Sequence, residues 1–169
     1  SPSKPETVTT RHLVVYAALM TKAAWLFPGQ GAQAVGMGRE ILAQSAAAKA
    51  AFGRAASAYA AVSGGDLAAL VAEGPEDQLT LTANAQPAIV AVSVAILEAL
   101  RERIPNLPAP AFAAGHSLGE YSALVAAGAL RLEDAVKTVY ARGKAMQEAV
   151  PAGTGAMAAI MGLSPEQVA

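Results

Sequence analysis

Five residues, Gly115-His116-Ser117-Leu118-Gly119, constrain this chain more than any others. They follow a short apolar run, Ala111–Ala114, and lead into a helical pattern over Ser117–Ala127. Strand, tight turn and helix in immediate succession is the layout of a nucleophile elbow. Glycines two before and two after the serine let the chain turn sharply without side-chain clashes. The turn would lift the Ser117 hydroxyl clear of a sheet and set it at a helix N-terminus, where unpaired N–H groups and the helix dipole favour negative charge. The N–H of Leu118 is then the natural donor to an oxyanion. A second reading stands beside this one. Ser117-Leu118-Gly119-Glu120 is also an S-x-x-E capping box, in which the serine would only cap a helix.

The surrounding pattern supplies the rest of an α/β domain. Ala23–Phe27 reads as a short buried strand, ended by Pro28-Gly29 and the glycine-rich turn PGQGAQAVGMG. Helical patterns run over Arg39–Ala61, up to Gly64-Gly65, and over Asp66–Glu73, up to Gly74-Pro75. Gln86-Pro87 opens a long apolar helix through Arg103, with the proline in a first turn that needs no N–H from it. Pro105, Pro108 and Pro110 form a stiff connector, Leu132–Val150 is helical, and Gly153–Leu163 starts another strand. Short apolar strands between helices predict a parallel sheet.

Bulk properties narrow the class. A length of 169 residues permits one ordinary domain or part of a larger one. A net charge of -1 gives no electrostatic reason to bind nucleic acid. The chain has no cysteine, which rules out disulfides and thiolate metal sites and fits a cytoplasmic setting. Residues 1–19 differ from the rest: they are polar at first, and the apolar run Leu13–Met20 is far below the roughly 20 residues of a membrane helix. Met20-Thr21-Lys22 reads as the natural start, with 1–19 as leader or upstream sequence.

A serine nucleophile needs a base near pH 7. The chain has two histidines, His12 and His116. His12 lies in the leader. His116 adjoins Ser117 on a sharp turn, where neighbouring side chains diverge, so a structural role toward local backbone suits it better. Arg142 is the other clue. At about 100° per residue, Val136, Val139, Gly143, Met146 and Val150 share one helix face, with Lys137, Lys144 and Glu148 opposite. Arg142 falls beside Met146, at the apolar edge. Such a cation is either a structural ion pair or snorkelling arginine, or a bidentate grip on a carboxylate.

Taken together, LFPGQGAQ (Leu26–Gln33), the glycine-proline region Gly74–Leu79, AQPAI (Ala85–Ile89), GHSLGEYSALVAAGAL (Gly115–Leu130) and RGKAMQEAVPAGTGAMAAI (Arg142–Ile160) resemble the malonyl-CoA:acyl carrier protein transacylases, of the fatty-acid-synthesis acyltransferase family. The resemblance covers roughly Met20 to Ala169 and is specific as a set. It implies an α/β fold: part of an α/β-hydrolase-like core, with a parallel sheet and flanking helices over 20–152, and the start of a small ferredoxin-like subdomain over 153–169. It implies that Ser117 is the residue malonylated, that the backbone N–H groups of Gln30 and Leu118 form the oxyanion hole, and that Arg142 binds the malonate carboxylate. The spacing from Ser117 to Arg142 is the family's. His116 matches the histidine that is not the base, with Gly115, Gly119 and Met146 as structural neighbours of the site. Leu118 leans toward malonyl over methylmalonyl units.

The implied partners are malonyl-CoA and acyl carrier protein, with no nucleic acid, no membrane, no metal and no bound cofactor. The family's general-base histidine lies in its second half and has no counterpart here. This leads to two expectations: no sustained turnover by these residues alone, and poor solubility from an uncovered apolar sheet edge. Three other readings share part of the pattern. A serine hydrolase or thioesterase explains the elbow but not PGQG or Arg142. A polyketide synthase acyltransferase domain shares the motifs. A non-catalytic binder of acyl carrier protein or coenzyme A accommodates the missing base.

Overall fold

The computed structural model describes residues 22–149, 162 and 164–168. The whole leader, 1–19, and all of the strand expected over Gly153–Leu163 except residue 162 lie outside these. Two strands, β1 (Ala24–Phe27) and β2 (Phe112–Gly115), pair in parallel, with Ala24 opposite Phe112 and Phe27 opposite Gly115. Eight helices accompany them among the described residues: α1 (Arg39–Gln44), α2 (Ala46–Ser63), α3 (Leu67–Glu73), α4 (Glu76–Thr80), α5 (Thr82–Arg103), α6 (Gly119–Ala126), α7 (Leu132–Ala149) and α8 (Pro165–Val168). The parallel α/β arrangement is therefore present as expected.

Helix α5 organises the molecule. Its alanines 85, 88, 91, 95 and 99 are all buried. Small side chains let α2, α6 and α7 pack closely around it. One core cluster joins α5 to α2, α3 and α7 through residues such as Leu67, Val90, Val94, Val136 and Val139. A smaller cluster of Phe27, Leu97, Ala123 and Ala126 fastens β1 and α6 to α5's other side. By length and composition α5 could cross a membrane, yet 67% of its apolar window is buried inside the molecule, as in the core helix of a compact domain.

Several boundaries differ from the sequence expectation, each for a local reason. The single helix expected over Arg39–Ala61 is two, α1 and α2. Ser45 breaks it: its backbone is extended and its Oγ accepts from the Ala48 N–H at 3.0 Å, capping α2. The Ser45 hydroxyl also donates to Glu102 on α5. Helix α5 begins at Thr82, not at Pro87, because Leu81 O accepts from both Asn84 and Ala85 N–H at 2.8 Å. Pro87 thus lies inside the helix. Helix α4 has no sequence expectation at all.

The strands are less buried than expected. Leu26 is 79% and Phe112 70% exposed, so one side of the sheet is uncovered among the described residues. An open apolar groove of about 360 Å³ follows from this, between β1 and α5, with Trp25, Leu26, Ser93 and Ile96 in its lining. Neither Ser117 nor Arg142 lines it.

Candidate active site

The elbow is built at the C-terminal end of β2. Ser117 has φ 53°, the only non-glycine residue at positive φ among those described. An L-residue in the left-handed region costs roughly 1–2 kcal/mol, so surrounding contacts must hold it there. They are visible. A Cβ on Gly115 would fall 1.9 Å from the Gly119 carbonyl carbon, and one on Gly119 would fall 2.4 Å from Phe27 O. Backbone therefore packs directly on backbone on both sides of the serine. His116 N–H donates to Phe27 O at 3.1 Å, and Gly119 N–H to His116 O at 2.9 Å, closing the turn. Leu118 is fully buried and anchors the turn in the core.

The capping-box reading does not hold. Helix α6 starts at Gly119 and receives no side-chain cap bond. The Ser117 side chain is turned away from the helix amides and accepts instead from Arg142 Nη2 at 3.0 Å. The positive φ of Ser117 is what removes it from the extended conformation that a capping residue adopts.

The PGQG loop lies against the same turn. A Cβ on Gly29 would sit 2.5 Å from His116 Nδ1 and 2.7 Å from His116 O. The next residue, Gln30, is exposed, and its Nε2 donates to Thr82 Oγ1 at 3.2 Å, tying the loop to the first turn of α5. Among the described residues the backbone N–H groups of Gln30 and Leu118 have no hydrogen-bond partner. A developing oxyanion requires free N–H donors of this kind.

Arg142 is half-buried on α7 and makes no ion pair among the described residues. Its Nη1 donates to Gln86 Oε1 at 2.6 Å, and Gln86 Nε2 faces Met146 Sδ at 3.5 Å. The salt-bridge and snorkelling alternatives thus give way to a guanidinium held by an amide and resting on the serine. The sequence reading places Gln86 at the opening of a helix and gives it no role at the site, although a glutamine inside an apolar helical run is the available signal. Taking Pro87 as the helix start left Gln86 outside the helix and hid that signal. Ser117 Oγ has no His, Asp or Glu partner among the described residues; its partner is Arg142. No group of three or more His, Cys, Asp or Glu among the described residues could hold a metal ion.

Comparisons with known proteins show which family the chain belongs to. The chain is 54% identical over 147 residues to the malonyl CoA-acyl carrier protein transacylase of Bacillus subtilis, covering 87% of this chain and 44% of that protein. A crystal structure of an acyl carrier protein S-malonyltransferase from Vibrio cholerae superposes with TM-score 0.75 at 51% identity, over 86% of this chain and 46% of that one. A structure of a type II PKS acyl-carrier protein in complex with its malonyl-transacylase matches with TM-score 0.77 at 46% identity, over 88% of this chain and 46% of that chain. The chain thus spans about half the length of the relatives it matches. The family model described as acyl transferase domain matches residues 24–168, and the chain belongs to that family.

Proposed function

We propose that this chain carries the nucleophile and the carboxylate grip of a malonyl-CoA:acyl carrier protein transacylase of fatty acid synthesis, acting in the cytoplasm. One observation carries the reading: a guanidinium with no acidic partner among the described residues stands 3.0 Å from the hydroxyl of an elbow serine. An esterase has no use for that cation, whereas a donor ending in a free carboxylate does. The names of the relatives support the same substrate pair.

In this scheme the malonyl-CoA carboxylate takes over the hydrogen bond that Arg142 Nη2 gives Ser117 and so frees Ser117 Oγ, while Gln86 keeps its bond to Nη1. The oxygen attacks the thioester carbonyl, the carbonyl oxygen becomes an oxyanion facing the Gln30 and Leu118 N–H groups, and the C–S bond breaks. Coenzyme A leaves as the thiol, carrying the proton that the serine lost. Malonyl-serine then passes its acyl group to the phosphopantetheine thiol of acyl carrier protein, and Ser117 regains a proton. Each oxyanion donor is worth on the order of 3 kcal/mol in the barrier. Sustained turnover needs a base beside Ser117, and no described side chain fills that place. Donors alone still leave roughly 10³-fold or more over water, so the chain should acylate slowly, without cycling. The same reading takes 20–152 as part of a hydrolase-like core and 153–169 as the start of a ferredoxin-like subdomain.

Selectivity tests this assignment. The purified chain is incubated with malonyl-CoA or acetyl-CoA, and Ser117 acylation is followed by mass spectrometry. Arg142→Ala should lower the malonyl-to-acetyl rate ratio by about tenfold or more, the value of a lost charge-assisted bond. A ratio unmoved by the substitution would point to a plain serine esterase.

A further inference from the structure

Gln86 has no packing reason to be where it is. It is fully buried on α5, flanked by Ala85, Pro87, Ala88 and Ile89, all buried as well. An amide placed there without partners would be left desolvated and uncompensated, so its partners explain its presence. They are Arg142 Nη1 on one side and Met146 Sδ on the other. The arginine fixes the amide's orientation, because only the oxygen can accept from a guanidinium. The sulfur, a weak acceptor, takes the amide nitrogen. Arg142 and Met146 are one helical turn apart on α7, so Gln86 is gripped by a single helix face. The opposite edge of the same guanidinium reaches Ser117 Oγ.

Charge decides what this arrangement is for. A buried arginine is ordinarily held by a carboxylate, which neutralises it. Here, among the described residues, half-buried Arg142 has a neutral amide as its partner in place of a carboxylate, which leaves the positive charge intact. We propose that Gln86 is a positioning residue: it fixes the Arg142 guanidinium over Ser117 without neutralising it, and so keeps the cation available to the carboxylate of the acyl donor. This rests on the proposed transacylase reading and deepens it. It assigns donor selectivity partly to a residue that would not itself touch the donor.

Two substitutions separate positioning from mere core filling. Gln86→Glu keeps the shape and one acceptor but places an anion against Arg142. Gln86→Leu keeps the volume and removes the acceptor. Both are compared with the unaltered chain by thermal melting and by Ser117 acylation from malonyl-CoA and acetyl-CoA across a range of concentrations. The expected result is an about tenfold fall in the malonyl-to-acetyl rate ratio for Gln86→Glu. For Gln86→Leu the half-saturating malonyl-CoA concentration should rise more than the maximal rate falls. A core-filling role would instead lower both donors' rates together with the melting temperature. If the unaltered chain prefers malonyl and both variants retain that preference, the positioning role is overturned while the transacylase reading stands. If the unaltered chain shows no malonyl preference, both fall.

Discussion

Ser117 is held at φ 53° by its neighbours and not by its own preference. That strain predicts a trade between stability and chemistry. Ser117→Gly removes the left-handed penalty and the nucleophile together, so the variant should gain about 1 kcal/mol in urea unfolding and lose all acylation. Unchanged or lower stability would mean that the turn does not strain the serine. Tyr59 offers a second test at this scale. Its hydroxyl donates to Asn84 Oδ1 at 2.7 Å, and its ring meets Tyr140 edge-on at 5.5 Å between centroids. Burial, the largest influence, raises the phenol above its ordinary value; Tyr140 adds to this and a hydrogen bond with Ser63 opposes it. The folded state therefore favours the neutral phenol. The stability this contributes is whole below the unfolded value of about pH 10 and is lost as pH climbs through the higher folded value. Urea midpoints between about pH 8 and 11 should fall more steeply for the unaltered chain than for Tyr59→Phe. Parallel curves would contradict the assignment.

Helices α5 and α7 set the geometry of the site, and Gly143 sets how closely they meet. A Cβ there would lie 2.5 Å from Thr82 O and 2.8 Å from Ala83 Cα, both backbone atoms that cannot swing aside. Gly143→Ala should therefore destabilise the fold, since about 1–3 kcal/mol of overpacking outweighs about 1 kcal/mol of helix propensity gained. It should also push Arg142 away from Gln86. A urea midpoint at or above that of the unaltered chain would show that the helices can separate freely. The sequence made the elbow, both strands and α7 legible, because each is marked by glycines or by a clean apolar face. It did not make the start of α5 legible. Pro87 looks like a first-turn proline, yet its burial in the core lets it stand inside the helix despite a missing hydrogen bond. The break at Ser45 was hidden too, because an alanine-rich run is helical on either side of it. What stops the helix there is a contact with Glu102, some sixty positions along the chain. Arg142 stood out on the helical wheel, but its amide partner depended on that misplaced boundary.

The whole molecule divides its labour across its layers. The PGQG loop and the elbow carry the backbone N–H groups of Gln30 and Leu118, the elbow also carries a hydroxyl, and the helical layer presents a cation held by a buried amide. None of these alone distinguishes an acyl transferase from a hydrolase; in the function proposed here it is the Arg142 guanidinium at Ser117 that does. The uncovered side of the sheet, with Leu26 and Phe112 open, lies apart from that meeting point. The central claim is that Ser117 accepts a malonyl group under the guidance of Arg142. Its most direct test is to incubate the chain with malonyl-CoA, digest it and locate the adduct by peptide mass spectrometry. One malonyl group, slowly formed, is expected on the peptide bearing Ser117 and absent from Ser117→Ala. An adduct elsewhere, or one that persists in Ser117→Ala, would contradict it.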